Sequence, residues 1–366
     1  MNERVRPVYV LFKGIGLFVL INVLYAMIQP PVARFSAYNL LFPGRERLPF
    51  GEAHNSFVVS IDDVDAMFAT HAISSRKKPG EIRVAVIGDS SVWGENLHLE
   101  ETLTGQWNQP GLQCGGSRIQ VYNLGYPHPS VVKDMIFLEK LTEYEPDIIV
   151  WMITLNTLSS RRVNPFLIEN RDAALRLLEA YNLPFYGLEE LAREQDSFVD
   201  KTIVGRRSFL ARYIKLQSLG FLWSATGKDF NLFNESVTIS NDVSNDLIYR
   251  ELLPGDDLET MMLEDALAVG HDIAGSIPVL LVNEPIFMAA GLNSDLRYND
   301  FYPRWAYDHY RDAIATEVEQ HGWNYLDLWD AVPQKYFTDT PLHLNADGER
   351  LFAEHLNSAV RSMVCK

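Results

Sequence analysis

The chain has 366 residues, enough for one large domain or two ordinary ones, and its hydrophobic share of 47% is that of a packed globular protein rather than a disordered one. A net charge of −16 argues against a nucleic-acid-binding surface and disfavours tight docking on anionic lipid. The two cysteines, Cys114 and Cys365, form no framework; one bridge between them would need an oxidising compartment.

Residues 8–28 are apolar apart from Lys13 and Asn22, and Pro30-Pro31 end the run. About 20 mostly apolar residues cross a bilayer as a helix, and Lys13 lies near one end, where its stem can snorkel. This predicts an uncleaved anchor behind a tail of residues 1–7; no Ala-x-Ala signal for cleavage follows it. Arg4 and Arg6 precede the span and Arg34, Arg45 and Arg47 follow it, so the positive-inside count does not orient it. The short tail and the large acidic domain favour a single-pass protein with the domain outside the cytoplasm. Residues 29–80 read as an extension packed on the main domain, through Leu40–Phe42, Phe57–Val59 and a helical pattern over Asp62–Ile73.

Five short apolar runs read as strands: Arg83–Ile87, Ile119–Asn123, Ile148–Ile153, Pro278–Val282 and Tyr325–Leu328. Helical patterns separate them, which is how a parallel α/β sheet reads. Val131–Tyr144 is one such helix, stopped by Pro146, and Asn345 can cap the last, with His355 on its packed stripe. Residues 159–275 exceed an ordinary crossover and carry helical patterns at Arg171–Ala180, Leu188–Glu194, Ser208–Leu222 and Leu258–His271. This mostly helical insertion follows the third strand, and it is either a cap over the site or an elaboration away from it.

The run Val84–Ser91, V-A-V-I-G-D-S-S, ends a buried strand in Gly88 and hands Ser90 to the next helix. In open α/β sheets that carboxyl edge is the ligand-binding crevice. Serine becomes a nucleophile when a base takes its proton, and His343 lies in D-T-P-L-H with Asp339 four residues earlier to orient it. Gly125 follows the second strand and Asn156 the third, each at a position suited to donate to an oxyanion beside Ser90's own N–H. There is no H-E-x-x-H, no metal-spaced Cys or His set, and Gly115-Gly116 lacks a phosphate-loop context, so no metal and no cofactor is expected.

Ordered Ser90, Gly125, Asn156 and Asp339/His343, these blocks resemble the SGNH (GDSL-type) hydrolase family over roughly residues 82–158 and 276–363. Two positions depart from it. The third block reads T-L-N-T, keeping only Asn156, and Asp339 rather than a residue three places earlier precedes His343. The resemblance implies a three-layer, flavodoxin-like α/β domain built from 81–158 and 276–366 around a five-stranded parallel sheet. It implies a serine esterase acting on acyl, first of all acetyl, esters through a Ser90 acyl-enzyme, with acylated carbohydrate as one substrate class. Two alternatives stay open: an O-acetyltransferase acting on envelope or exported polysaccharide, and an inactive carbohydrate-binding module. Protein partners are not legible.

Overall fold

The computed structural model describes residues 6–51, 59–109, 112–161, 163–193, 197–226 and 239–365. Most of the tail, Phe57 and Val58, and Glu194 at the end of one helical pattern lie outside the described residues. The chain opens with α1 (Pro7–Ile28), then α2 (Val64–Thr70), β1 (Glu81–Gly88), α3 (Ser90–Trp93), α4 (Leu103–Asn108), β2 (Gln113–Cys114), β3 (Ser117–Gly125), α5 (Val131–Leu141) and β4 (Ile148–Ile153). The insertion holds α6 (Pro165–Glu169), α7 (Arg171–Ala180), α8 (Leu188–Arg193) and α9 (Arg207–Thr226). α10 (Asp265–Ala274), β5 (Val279–Asn283), α11 (Arg304–His321), β6 (Asn324–Asp327) and α12 (Ala346–Val364) complete the fold.

The sheet has six strands in the order β2-β3-β1-β4-β5-β6. The five expected strands are all present and mutually parallel, and the sixth, β2, is a two-residue antiparallel edge paired to β3. Without β2 the order is the doubly wound, flavodoxin-like one, whose switch point lies beside the first strand. Ser90 follows β1 and Asn156 follows its neighbour β4, so topology alone puts both at that crevice.

Strand alternation separates two cores. Val84 and Val86 of β1 with Ile148, Val150 and Met152 of β4 pack under α4 and α12. Ala85 and Ile87 with Ile149, Trp151 and Ile153 face α5 and α10. Both faces are therefore covered, which is why these strands read as continuous apolar runs. α10 belongs to this cover although the sequence groups it with the insertion: Gly270 lets Trp151 approach so closely that a Cβ there would stand 2.4 Å from the indole ring.

The structure corrects several expectations. Leu40 and Leu41 are 71% and 73% exposed and do not pack inward as their apolarity suggests, whereas Phe42 packs edge-to-face on Phe221 with ring centroids 5.8 Å apart. His355 is exposed rather than core. Leu258–His271 is a 3-10 turn followed by α10 rather than one helix. Asn345 does cap α12, accepting from Gly348 N at 3.0 Å. Cys114 and Cys365 are bridged, with Cα atoms 5.4 Å apart, tying the β2 edge to the end of α12.

Candidate active site

The turn after β1 is built by close approach. A Cβ on Gly88 would meet Val92 Cγ2 at 2.5 Å and Met152 Cβ at 3.0 Å, so the strand can hand directly to a helix only with glycine there. Asp89 caps that helix, its carboxylate accepting Ser91 N at 3.0 Å. Asp89 is thus occupied with the turn, and Ser90 stands at the first helical position, where N–H groups have no intrahelical partner. The extension braces the turn from outside: buried Arg47 donates to Gly94 O at 3.0 Å and Leu97 O at 3.2 Å, and Trp93 Nε1 donates to Leu48 O at 2.9 Å.

His343 arrives from the loop before α12. Its Nε2 lies 2.9 Å from Ser90 Oγ and its Nδ1 3.0 Å from Asp339 Oδ1. The hydrogen bond to His343 leads the causes that hold the Asp339 carboxyl down at about 2, and burial opposes it. An ionised carboxylate only accepts, so Nδ1 must carry the ring proton and Nε2 is left to accept from Ser90. Thr338 Oγ1 at 3.0 Å and Asn96 Nδ2 at 3.3 Å also donate to Asp339. The four-residue spacing has a local cause. Thr340, three residues before the histidine, turns its hydroxyl back on Leu342 N (3.4 Å) and His343 N (3.2 Å), so the loop tightens around Thr340 and Asp339 reaches the ring.

The expected oxyanion donors divide. Gly125 does not offer its N–H: that group donates to Asn123 Oδ1 at 3.1 Å. Its glycine identity has a packing cause instead, since a Cβ would stand 2.3 Å from Trp93 N. Asn156 is held from the insertion. Its Oδ1 accepts from Tyr249 Oη at 3.2 Å and Arg250 Nη2 at 3.0 Å, which orients the amide so that Nδ2 is the end left to donate. Arg250 also donates to Ser159 Oγ. It is held in the left-handed region with Glu251 (φ +47° and +79°), backbone strain of the kind that collects at functional positions. A cavity of about 330 Å³ opens beside Asn156, Tyr249, Arg250 and Phe301.

Below the site lies a buried polar layer. Lys133 Nζ donates to Gly88 O at 2.5 Å and Tyr126 O at 3.3 Å, joining the turns after β1 and β3, and pairs with Asp134 at 3.1 Å. Ser91 Oγ donates to Glu284 Oε2, and burial, reinforced by the Asp89 charge, pushes the Glu284 carboxyl well above its ordinary range. None of Lys133, Tyr249, Arg250, Glu284 or Asn96 was singled out from sequence. Lys133 is one of several charged residues of α5, beside Asp134, and nothing in the sequence set it apart. Among the described residues no group of His, Cys, Asp and Glu is placed to hold a metal ion.

No family model matches the chain, and no curated protein is significantly similar to it. Solved structures do resemble it. A carbohydrate acetylesterase family member from Sinorhizobium meliloti is 13% identical, with a TM-score of 0.36 over 77% of this chain and 99% of that one. The native aryl esterase of M. smegmatis is 11% identical at 0.36, over 77% and 100%. A lipolytic protein assigned to the G-D-S-L family, from Desulfitobacterium hafniense DCB-2, is 11% identical at 0.37, over 76% and 98%.

Proposed function

We propose that the chain is a membrane-anchored serine esterase of SGNH type. The observation that carries this reading is the unbroken line from Ser90 Oγ through His343 to Asp339, at 2.9 and 3.0 Å. Ser90 Oγ attacks the ester carbonyl while its proton passes to His343 Nε2, and Asp339 stabilises the imidazolium that forms. The oxyanion is held by Ser90 N–H and Asn156 Nδ2. Collapse breaks the ester C–O bond, and His343 returns the proton to the leaving alcohol, leaving Ser90 acylated. Water, deprotonated by the same histidine, then releases the acid and regenerates Ser90. One oxyanion donor is worth roughly 100-fold or more in such steps.

Acetyl esters, including acetylated carbohydrates, are the proposed substrates. The domain is assigned to the extracytoplasmic side, with α1 as the span; the Cys114–Cys365 bridge supports that side, because such bonds persist in oxidising compartments. Ser90→Ala should abolish both fluorophosphonate labelling and hydrolysis of p-nitrophenyl acetate. Undiminished turnover in that variant would remove the nucleophile assignment. Acetylated sugar exceeding free acetate, when oligosaccharides are added, would identify a transferase. A wild-type protein that binds polysaccharide but neither labels nor turns over would be the inactive module.

A further inference from the structure

We infer that the folded domain itself lies in the outer boundary of the bilayer beside α1, with the loop around Phe198, Val199 and Val204 reaching the acyl region, so that the partner of this surface is a phospholipid bilayer. This rests on the reading of α1 as a membrane span.

A hydrogen bond joins the helix to the domain. Val204 N donates to Asn22 Oδ1 at 3.1 Å, and Asn22 Nδ2 donates to Phe18 O at 2.9 Å, so the one amide side chain in the apolar run is satisfied at both ends. Asn22 and Ala26, one turn apart on one face, are the buried residues of α1. The helix therefore meets the insertion at Asn22, near the start of its last two turns.

Length sets the depth of that contact. The apolar run of residues 8–28 extends about 31 Å as a helix, which matches a hydrocarbon core of about 30 Å. Asn22 lies six residues before Ile28, about 9 Å along the axis. With the run filling the core, the loop at Val204 meets α1 below the headgroups.

The loop's surface suits that position. Phe198, Val199 and Val204 are 54%, 61% and 41% exposed. The chain leaving α1 is bound to α9 through Gln217 Oε1, which accepts from Ala37 N at 2.8 Å and Ser36 Oγ at 3.2 Å. It then carries Leu40 and Leu41, exposed against the sequence's expectation. These side chains would meet water if α1 left the bilayer two turns early, and so would Met27 and Ile28, which are 72% and 70% exposed. The nearest acid, Asp200, is taken up by Ser197 N and Oγ at 2.9 and 2.7 Å, and Arg207 Nη1 is turned onto Val204 O at 2.7 Å. With a chain charge of −16 the contact is apolar rather than electrostatic, and zwitterionic lipid suffices.

The test is spin-label accessibility in the full-length chain, reconstituted in phosphatidylcholine bilayers. Nitroxides go on V199C and L41C, with L17C in mid-helix and S362C on α12 as references; both native cysteines are bridged and leave no thiol to compete. Labels at 199 and 41 should favour oxygen over a water-soluble nickel chelate, as at 17, and unlike 362. Labels at 199 and 41 behaving like 362 while 17 remains lipid-exposed would overturn the inference and leave the anchor standing. A water-exposed label at 17 would remove the anchor and the inference together.

Discussion

Replacing Asp339 by asparagine tests the part of the site where the sequence departs most from its resemblance. The Nδ1–Oδ1 separation of 3.0 Å gives the charge attraction that the variant loses when His343 is protonated. At an effective dielectric between 80 and 20 this amounts to about 1.4 to 5.5 kcal/mol. Asp339's side chain is 31% exposed, which places the value inside that range rather than at its upper end. Each 1.36 kcal/mol is tenfold, so kcat/KM should fall roughly 10- to 10⁴-fold. The amide's orientation decides where. Asp339 Oδ1 receives both His343 and Thr338, and Oδ2 receives Asn96. If the amide oxygen keeps the His343 side, the ring tautomer survives and the loss stays near the lower figure. If the NH₂ turns there, Nδ1 must accept, Nε2 carries the proton, and Ser90 loses its base; that flip is worth about 10⁴ in a serine protease triad. The assay is p-nitrophenyl acetate hydrolysis together with the fluorophosphonate labelling rate, on protein whose unfolding temperature is unchanged. A loss below threefold in both would refute Asp339 as the orienting group.

Arg250→Ala should lower kcat about 10- to 100-fold with little change in KM, because it frees the Asn156 amide rather than removing a donor; added guanidinium should restore part of the loss, and a raised KM at unchanged kcat would make Arg250 a substrate contact instead. Burial raises the Glu349 carboxyl well above its ordinary 4.5. The native state then holds a proton that the unfolded chain releases, so this group's contribution is complete below about pH 4.5 and is lost as pH rises towards the raised value. Glu349→Gln should accordingly raise the unfolding temperature at pH 8 and change it little at pH 4, and scanning fluorimetry showing equal shifts at both would contradict the burial argument. Protein isolated from membranes and denatured without reductant should show no titratable thiol, and two after reduction; two before reduction would count against an oxidising compartment.

The parts of the site legible in the sequence are those fixed by local physics. A strand, a glycine and a helix N-terminus within eight residues define where Ser90 must point, and the D-T-P-L-H turn carries its own hydroxyl brace. The rest depends on contacts that no local period encodes. Tyr249 and Arg250 lie 93 and 94 residues from the Asn156 they hold, and the described residues 239–257 around them hold neither helix nor strand. Gly125 was read as a donor because a glycine after a strand suits one, whereas the tight spacing against Trp93 accounts for it equally well. α11 lies between the last two strands, where a helix is expected, and its buried face uses Tyr307 and Tyr310, whose hydroxyls donate to Asn283 Oδ1 at 3.2 and 3.1 Å across a distance no local pattern encodes.

The insertion bears on whether water or a second alcohol completes the reaction. Transfer needs an acyl-enzyme shielded from water, and shielding needs chain above Ser90. What the insertion brings to the site is Tyr249 and Arg250 on one side of Asn156, beside a cavity that opens past Phe301, which is itself 39% exposed. Asn96 and Glu95, in the turn after α3, stand half-buried beside the site, with Asn96 donating to Asp339. Among the described residues of the insertion, Tyr249 and Arg250 orient a donor. On the proposed reading water completes the reaction, and a sugar hydroxyl would compete only by binding in the cavity beside Arg250.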